Sequence, residues 1–456
     1  MEKLNAQDAG FLKIESARCP FHAGGLMLFK IPADAPANYM RRITRICERL
    51  NELWPVCNKQ LKDPEDMSNL AWIPARDYQP KYHVFHYALP QPGRMEDLLQ
   101  LFTRAHERML DRSLPLWEMH VIENVPGNRF ALFIKLHHAL MDGYTAIRMI
   151  HMLMSTSPAA TVDFSKPYSA ARRQTEHHSL LEQLSELTAG LVNQTKALPE
   201  LTGLLAHMGA DALKGNKDVM RLPFSAPRTV FNTELDSRRR INLADLPLNP
   251  ARKLAHEYGG TINDVLMAVC GGALRRYFIS QDTLPESSLL VAVPISLKSG
   301  EDEVGNKVSY MICPFFTEER DDLRRLKRVI KVTRAAKSEL GKVSTTAAED
   351  YYALMMTPST LLTITGNTDR VKPTSNAILS NVPGSTQKLY LEGAEVEAIY
   401  PLSIISDGMG LNFTVISHFN KLCIAVASCP TRQPGTEQLG KLLKQSYRAL
   451  QAAARG

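Results

Sequence analysis

Hydrophobic positions along the first 158 residues alternate between two spacings. Tyr39, Ile43, Ile46, Leu50 and Leu53 recur in steps of three and four, and so do Leu98, Phe102, Ala105 and Met109. Both runs predict amphipathic helices. WEMHVIEN and RFALFIKL follow as extended apolar runs, separated by Val125-Pro126-Gly127. They predict an antiparallel hairpin that feeds directly into His137. After Gly143 the helical spacing returns at Ile147, Ile150 and Met154, and Ser157-Pro158 ends it.

The pattern changes over 159–228. Leu180, Leu184, Leu187 and Leu191 form one helical stripe and Leu198, Leu201, Leu205 and Met208 a second, with no strand signal. A helical crossover between two domains is the simplest reading, and Leu-rich faces of this kind also suit a membrane surface. Alternation resumes at 229. TINDVLMAVCGGALRRYF predicts a helix and SLLVAVPIS a buried strand. KLYLEGAEVEAIYPLS predicts a hairpin, as do LNFTVISHF and LCIAVASCP together. Leu439, Leu443, Tyr447 and Leu450 mark a closing helix. The expectation is therefore an α/β chain in three parts: a domain over 1–158, the crossover over 159–228 and a second domain over 229–456. The length of 456 residues agrees, being too great for one comfortable core.

Composition adds little: 44% apolar and 22% charged residues are ordinary for a globular protein. A net charge of +7 does not point to nucleic acid. Basic residues gather in DSRRR (Asp236–Arg240) and in DDLRRLKRVIKVTRAAK (Asp321–Lys337). In the second segment Leu323, Leu326, Ile330 and Thr333 share a stripe, and Arg324, Arg325, Arg328, Lys331 and Arg334 lie around the rest. That helix reads as a solvated outer face, or as a surface that attracts lipid headgroups or substrate phosphates. Seven scattered cysteines with no C-x-x-C argue against a disulfide framework or a zinc site, and no metal cluster is expected. The start, MEKLNAQDAGFLKIES, has no apolar core of a signal peptide, and no run has the roughly 18 apolar residues of a membrane span. A cytoplasmic protein, soluble or peripheral, is expected.

The candidate chemistry lies in LHHALMDGYTA, Leu136–Ala146. Histidine exchanges protons near neutral pH, and a general base needs a fixed ring with an open face. Here the pair sits where a strand ends. Adjacent residues on an extended chain point to opposite sides, so one histidine can face substrate while the other turns inward. Asp142 can fold back to orient a ring or pair with an arginine. Gly143 would permit a positive φ or a close backbone approach. The competing reading is a capped helix start, with Asp142 as the N-cap and two half-buried histidines. His177 and His178 have no preceding strand and no Asp-Gly, and read as a solvated helix start.

HHALMDG resembles the HHxxxDG signature of CoA-dependent acyltransferases and of peptide-synthetase condensation domains. PLWEMHVIE, TINDVLMAVCGGALRRYF, VPISLK and SNVPG resemble motifs of the bacterial wax ester synthase/acyl-CoA:diacylglycerol acyltransferase family. The opening LNAQDAGFLKIES…PFHAGGLMLF and the later YPLSIISDGMGLNFTVISH are similar to that family as well, so the likeness runs in order over nearly the whole chain.

The resemblance implies two chloramphenicol-acetyltransferase-like domains with an active-site channel between them. It carries over His138 as general base, His137 and Asp142 as its supports, and Asn263 as a residue near the site from the second domain. Thr261 to Asp264 also reads as a capping box, and a helix start bearing Asn263 could face a developing negative charge. Pro115 and Trp117 are expected to be structural, while Ser380, Asn381, Gly408 and Gly410 belong to motif or channel segments. Ser385 stands where the family often has a second proline, and Met409 between the two glycines is bulky. Both departures bear on chain length rather than on chemistry. The implied reaction is direct acyl transfer from acyl-CoA, a co-substrate, to a fatty alcohol or diacylglycerol, with no cofactor and no covalent acyl-enzyme. Peripheral association with the membrane or with lipid inclusions would bring the apolar acceptor. A condensation-type enzyme with another acceptor and a non-catalytic lipid-binding relative are the alternatives.

Overall fold

The computed structural model describes residues 1–4, 6–141, 143–168, 198–216, 218–296, 308–344, 347, 351, 354, 368 and 370–455. Its strands, in chain order, are β1 (Glu2–Lys3), β2 (His22–Lys30), β3 (Lys59–Leu61), β4 (Ala71–Pro74), β5 (Val84–Ala88), β6 (Trp117–Val125), β7 (Arg129–His137) and β8 (Arg240–Pro247). They continue as β9 (Leu290–Ser296), β10 (Val308–Pro314), β11 (Ala377–Val382), β12 (Tyr390–Leu391), β13 (Ala394–Leu402), β14 (Asn412–His418) and β15 (Lys421–Ser428). The contacts divide the chain into two units. The first takes Met1–Gln183, Val382–Ile404 and Ile416–Phe419, and the second takes the remainder.

The first unit holds a six-stranded sheet in the order β12-β13-β2-β7-β6-β5. The predicted hairpin is β6 and β7, antiparallel from Trp117↔Leu136 to Val125↔Arg129. Every residue of β7 after Arg129 is buried, which is why Phe130 to Ile134 run apolar without alternation. Gly24 on β2 lies opposite Lys135. A Cβ there would come within 2.7 Å of the Phe133 ring and 2.9 Å of the Ile134 carbonyl oxygen, so the strands meet only because residue 24 is glycine.

The same strands carry buried polar groups with a definite task. Helix Met95–Glu107 ends beneath the sheet, and its last carbonyls need donors. Lys135, fully buried, donates to the carbonyls of Ala105 (3.1 Å) and Arg108. A His22 ring nitrogen lies 2.7 Å from the His106 carbonyl oxygen. A cation at a helix C-terminus is also favoured by the helix dipole. The helix stops before Met109, and His106 completes the buried stripe of Leu98 and Phe102.

β13 pairs antiparallel with β2, from Glu395↔Lys30 to Leu402↔Gly24. The segment Val382–Ile404 thus returns to complete the first sheet, whereas the sequence pattern assigns 229–456 wholly to the second domain.

The second unit is built on the sheet β10-β9-β11-β14-β15-β8, packed by helices Ile262–Ser280, Asp322–Leu340 and Leu439–Ala453. Helix Ile262–Ser280 is buried from Asp264 to Leu274. Its start is the expected capping box: Thr261 N–H donates to Asp264 Oδ2 at 2.6 Å, and the Thr261 hydroxyl accepts from Asp264 N–H. Thr333 adds a hydroxyl donor to Asp264 Oδ1 at 2.5 Å.

Helix Leu198–Leu213 covers the second stripe of the crossover: Met208 lies in the second unit's core and Leu205 packs against it, while Leu204, which is not on the stripe, is buried as well. The first stripe, Leu180–Leu191, and the pair His177–His178 lie outside the described residues. Among the described residues no helix is long and apolar enough to cross a membrane.

Helix Asp322–Leu340 corrects one expectation. Arg325 is fully buried. Its Nε donates to the Phe316 carbonyl at 3.1 Å, and its guanidinium also meets Asp322 and the Glu319 carbonyl. Arg328 bonds Asp218 and Glu318, both at 3.0 Å, and lies over the Phe316 ring. The exposed basic stripe is Arg324, Lys327, Lys331 and Arg334.

Candidate active site

β7 ends at His137, and the alternation of the strand separates the two histidine rings. His137 is fully buried and His138 half-buried. Both peptide groups around His138 are held. Its own N–H donates to the Phe21 carbonyl at 2.9 Å, and the next N–H, that of Ala139, donates to His137 Nδ1 at 3.0 Å. The His138 ring rests against Phe11, with centroids 4.9 Å apart and planes tilted by 59°.

A ring nitrogen that accepts a hydrogen bond carries no proton, so the proton of His137 is on Nε2. That nitrogen faces Glu15 Oε2 at 3.4 Å, so the carboxylate charge acts on the N–H dipole across a distance longer than a well-aligned hydrogen bond. Arg112 holds the same carboxylate oxygen at 3.0 Å through Nη2, and also donates to the Leu12 carbonyl at 2.7 Å. Glu15 Oε1 accepts from Phe21 N–H at 2.9 Å. Burial pushes the Glu15 carboxyl up, but His137, the Phe21 amide and Arg112 outweigh it and hold the group below the ordinary carboxylate range. Glu15 and Arg112 are not marked by sequence pattern. Glu15 is one polar residue after helix Ala6–Ile14, and only the fold brings it to His137.

The other singled-out residues separate into groups. Asp142 lies outside the described residues. Gly143 begins helix Gly143–Met152 without a left-handed φ, and a Cβ on it would meet nothing within 4 Å among the described residues. Pro115 and Trp117 are buried. Trp117 Nε1 donates to the Cys57 carbonyl at 3.0 Å, and its ring stacks on His83 at 4.8 Å. They brace the start of β6 rather than present chemistry.

In the second unit Asn381 Nδ2 donates to Asn263 Oδ1 at 2.6 Å, so two distant motifs meet. Asn381 Oδ1 is buried without a partner among the described residues. Ser380 is half-buried beside it on β11. Asp264 is committed to the capping box and Thr333. Gly408 has φ +77° and donates to the Thr233 carbonyl at 3.1 Å. Gly410 N–H bonds the Phe231 carbonyl at 2.8 Å, and a Cβ there would strike Gln433 Nε2. The left-handed φ accounts for Gly408 and close packing for Gly410, both inside the second unit.

The family model described as wax ester synthase/diacylglycerol acyltransferase catalytic domain matches residues 4–266, and the WS/DGAT C-terminal domain model matches 304–451. The chain belongs to the wax ester synthase/diacylglycerol acyltransferase family. O-acyltransferase WSD of Acinetobacter baylyi is 31% identical over 442 residues, 96% of this chain and 94% of that one. A probable diacylglycerol O-acyltransferase of Mycobacterium tuberculosis is 32% identical over 462 residues, 99% of each chain. The solved wax ester synthase/diacylglycerol acyltransferase from Marinobacter aquaeolei VT8 superposes with a TM-score of 0.78 at 28% identity over 100% of both chains. The first condensation domain of the calcium-dependent antibiotic synthetase shares the fold alone, with a TM-score of 0.60 at 14% identity, covering 99% of this chain and 96% of that one. This member of the acyltransferase family therefore has the α/β architecture expected from its motifs.

Proposed function

We propose that this chain transfers a long-chain acyl group from acyl-CoA to the hydroxyl of a fatty alcohol or a diacylglycerol, with His138 as the general base. What supports this most directly is the divided histidine pair at the end of β7, one ring locked inside and the other half-exposed on a backbone held at both flanking amides. His138 takes the hydroxyl proton as the oxygen bonds to the thioester carbonyl carbon. The tetrahedral oxyanion collapses, the C–S bond breaks, and the CoA thiolate leaves and takes up the proton. A base in this role contributes about 10² to 10⁴ in rate. Acyl-CoA enters as co-substrate, and no covalent acyl-enzyme or cofactor takes part. The resemblance gives Asn263 a part in the reaction, and its bond from Asn381 fixes its amide.

The protein would work in the cytoplasm at a membrane or lipid-inclusion surface that supplies its acceptor. Arg324, Lys327, Lys331 and Arg334 form the exposed basic stripe that favours anionic headgroups.

Incubation with palmitoyl-CoA and either hexadecanol or a diacylglycerol tests the reaction. Free thiol released in step with ester, and only when an acceptor is present, is expected. Thiol release without ester, or amide formation with an amine acceptor and no ester, would reject it in favour of hydrolysis or condensation chemistry.

A further inference from the structure

We propose that Glu15 is a positioning residue for His138, because one carboxylate ties down both peptide groups that flank the base. The inference rests on the reading of His138 as the base.

Two routes lead from Glu15. By the first, Oε1 accepts from Phe21 N–H at 2.9 Å, and the Phe21 carbonyl accepts from His138 N–H at 2.9 Å. By the second, Oε2 faces His137 Nε2 at 3.4 Å, and His137 Nδ1 accepts from Ala139 N–H at 3.0 Å. The second route depends on the tautomer. With the proton on Nδ1, His137 would turn a donor toward the Ala139 N–H, the bond would be lost, and a buried amide would be left unpaired. A negative charge at Nε2 selects the opposite tautomer, since it favours the N–H facing it. Arg112 fixes the carboxylate from outside the loop, at 3.0 Å from Oε2. The carboxylate is itself buried, with side-chain exposure of only 1%. The His138 ring is set against Phe11, three residues before the last residue of the helix that leads into Glu15. The helix Ala6–Ile14, Glu15 and the histidine turn thus form one local assembly within the first unit.

The test is ¹⁵N NMR of histidine-labelled protein, with the His137 signals identified by their loss in His137→Gln, alongside steady-state kinetics. Wild type is expected to show His137 as a single Nε2–H form. Glu15→Gln is expected to admit the Nδ1–H form and to lower kcat about 10- to 100-fold, less than the roughly 10⁴ that the wrong tautomer costs when the mis-set ring is itself the base. KM for acyl-CoA should not change, the pattern of an interaction made in the transition state alone. A wild-type Nδ1–H form overturns the proposal. So does Glu15→Gln with an unchanged tautomer, or with wild-type kcat. Should Glu15→Gln fail to fold, the wild-type spectrum still decides. Turnover that survives in His138→Ala would remove the base assignment but leave the tautomer result standing, so the two failures are distinguishable.

Discussion

At the scale of single residues, the first unit keeps neutral histidines where charge would be costly. Burial, with His106 and Lys135 close by, drives the His22 pKa well below 6.5. The sign follows from proton counting. Below pH 6.5 the unfolded chain binds a proton at residue 22 that the folded chain refuses, so stability falls as pH falls. His22 should contribute a loss of about 1.4 kcal/mol per pH unit below that point, for as long as the folded ring stays neutral. Urea unfolding at pH 7.5 and pH 5.5 measures it, with His22→Gln as the reference that cannot titrate. Wild type should lose stability relative to the variant on acidification, and parallel curves would contradict the assignment. At this scale the divided histidine pair was legible, because strand alternation sends two adjacent rings to opposite sides, and the family resemblance named His138 as the one that faces substrate. Glu15 was not, since nothing in a local pattern ties it to a residue on β7.

At the scale of elements, helix Asp322–Leu340 shows where a stripe reading stops. The stripe Leu323, Leu326, Ile330 and Thr333 defines one line, buried from Leu326 onward, and the basic residues then fall outside it by default. Yet Val329, Val332 and Ala336 are also buried, and Arg325 stands four residues before Val329 on that second line. The wider buried face was present in the sequence and carries an arginine within it. Arg325→Ala should cost about 3–5 kcal/mol, because Asp322 would keep its burial and lose a guanidinium partner. Arg276, 2.8 Å from Asp322, would offset part of that loss. Arg324→Gln with Lys327→Gln should leave stability unchanged and weaken co-sedimentation with anionic vesicles. Thermal unfolding and vesicle binding check the two halves. An Arg325→Ala protein as stable as wild type would contradict the burial argument, and unchanged vesicle binding would remove the lipid role of the stripe.

At the scale of the whole molecule, the α/β class and the element order were legible, because the two hydrophobic periods are strong and the motifs run in sequence. The sheet partners were not. The segment KLYLEGAEVEAIYPLS reads as a self-contained hairpin, and β12 with β13 is one. Its pattern does not encode that β13 also lies against β2 in the first unit. Nor does an apolar strand reveal that Lys135 and His22 end a helix from beneath, which only the meeting of helix and sheet explains.

All of this architecture bears on one side chain, and the most direct measurement is the initial rate of ester formation by His138→Ala with palmitoyl-CoA and hexadecanol, beside its thermal unfolding curve. The account predicts a loss of about 10² to 10⁴ in rate with unfolding at the wild-type temperature. A folded His138→Ala protein that turns over at near the wild-type rate would contradict it.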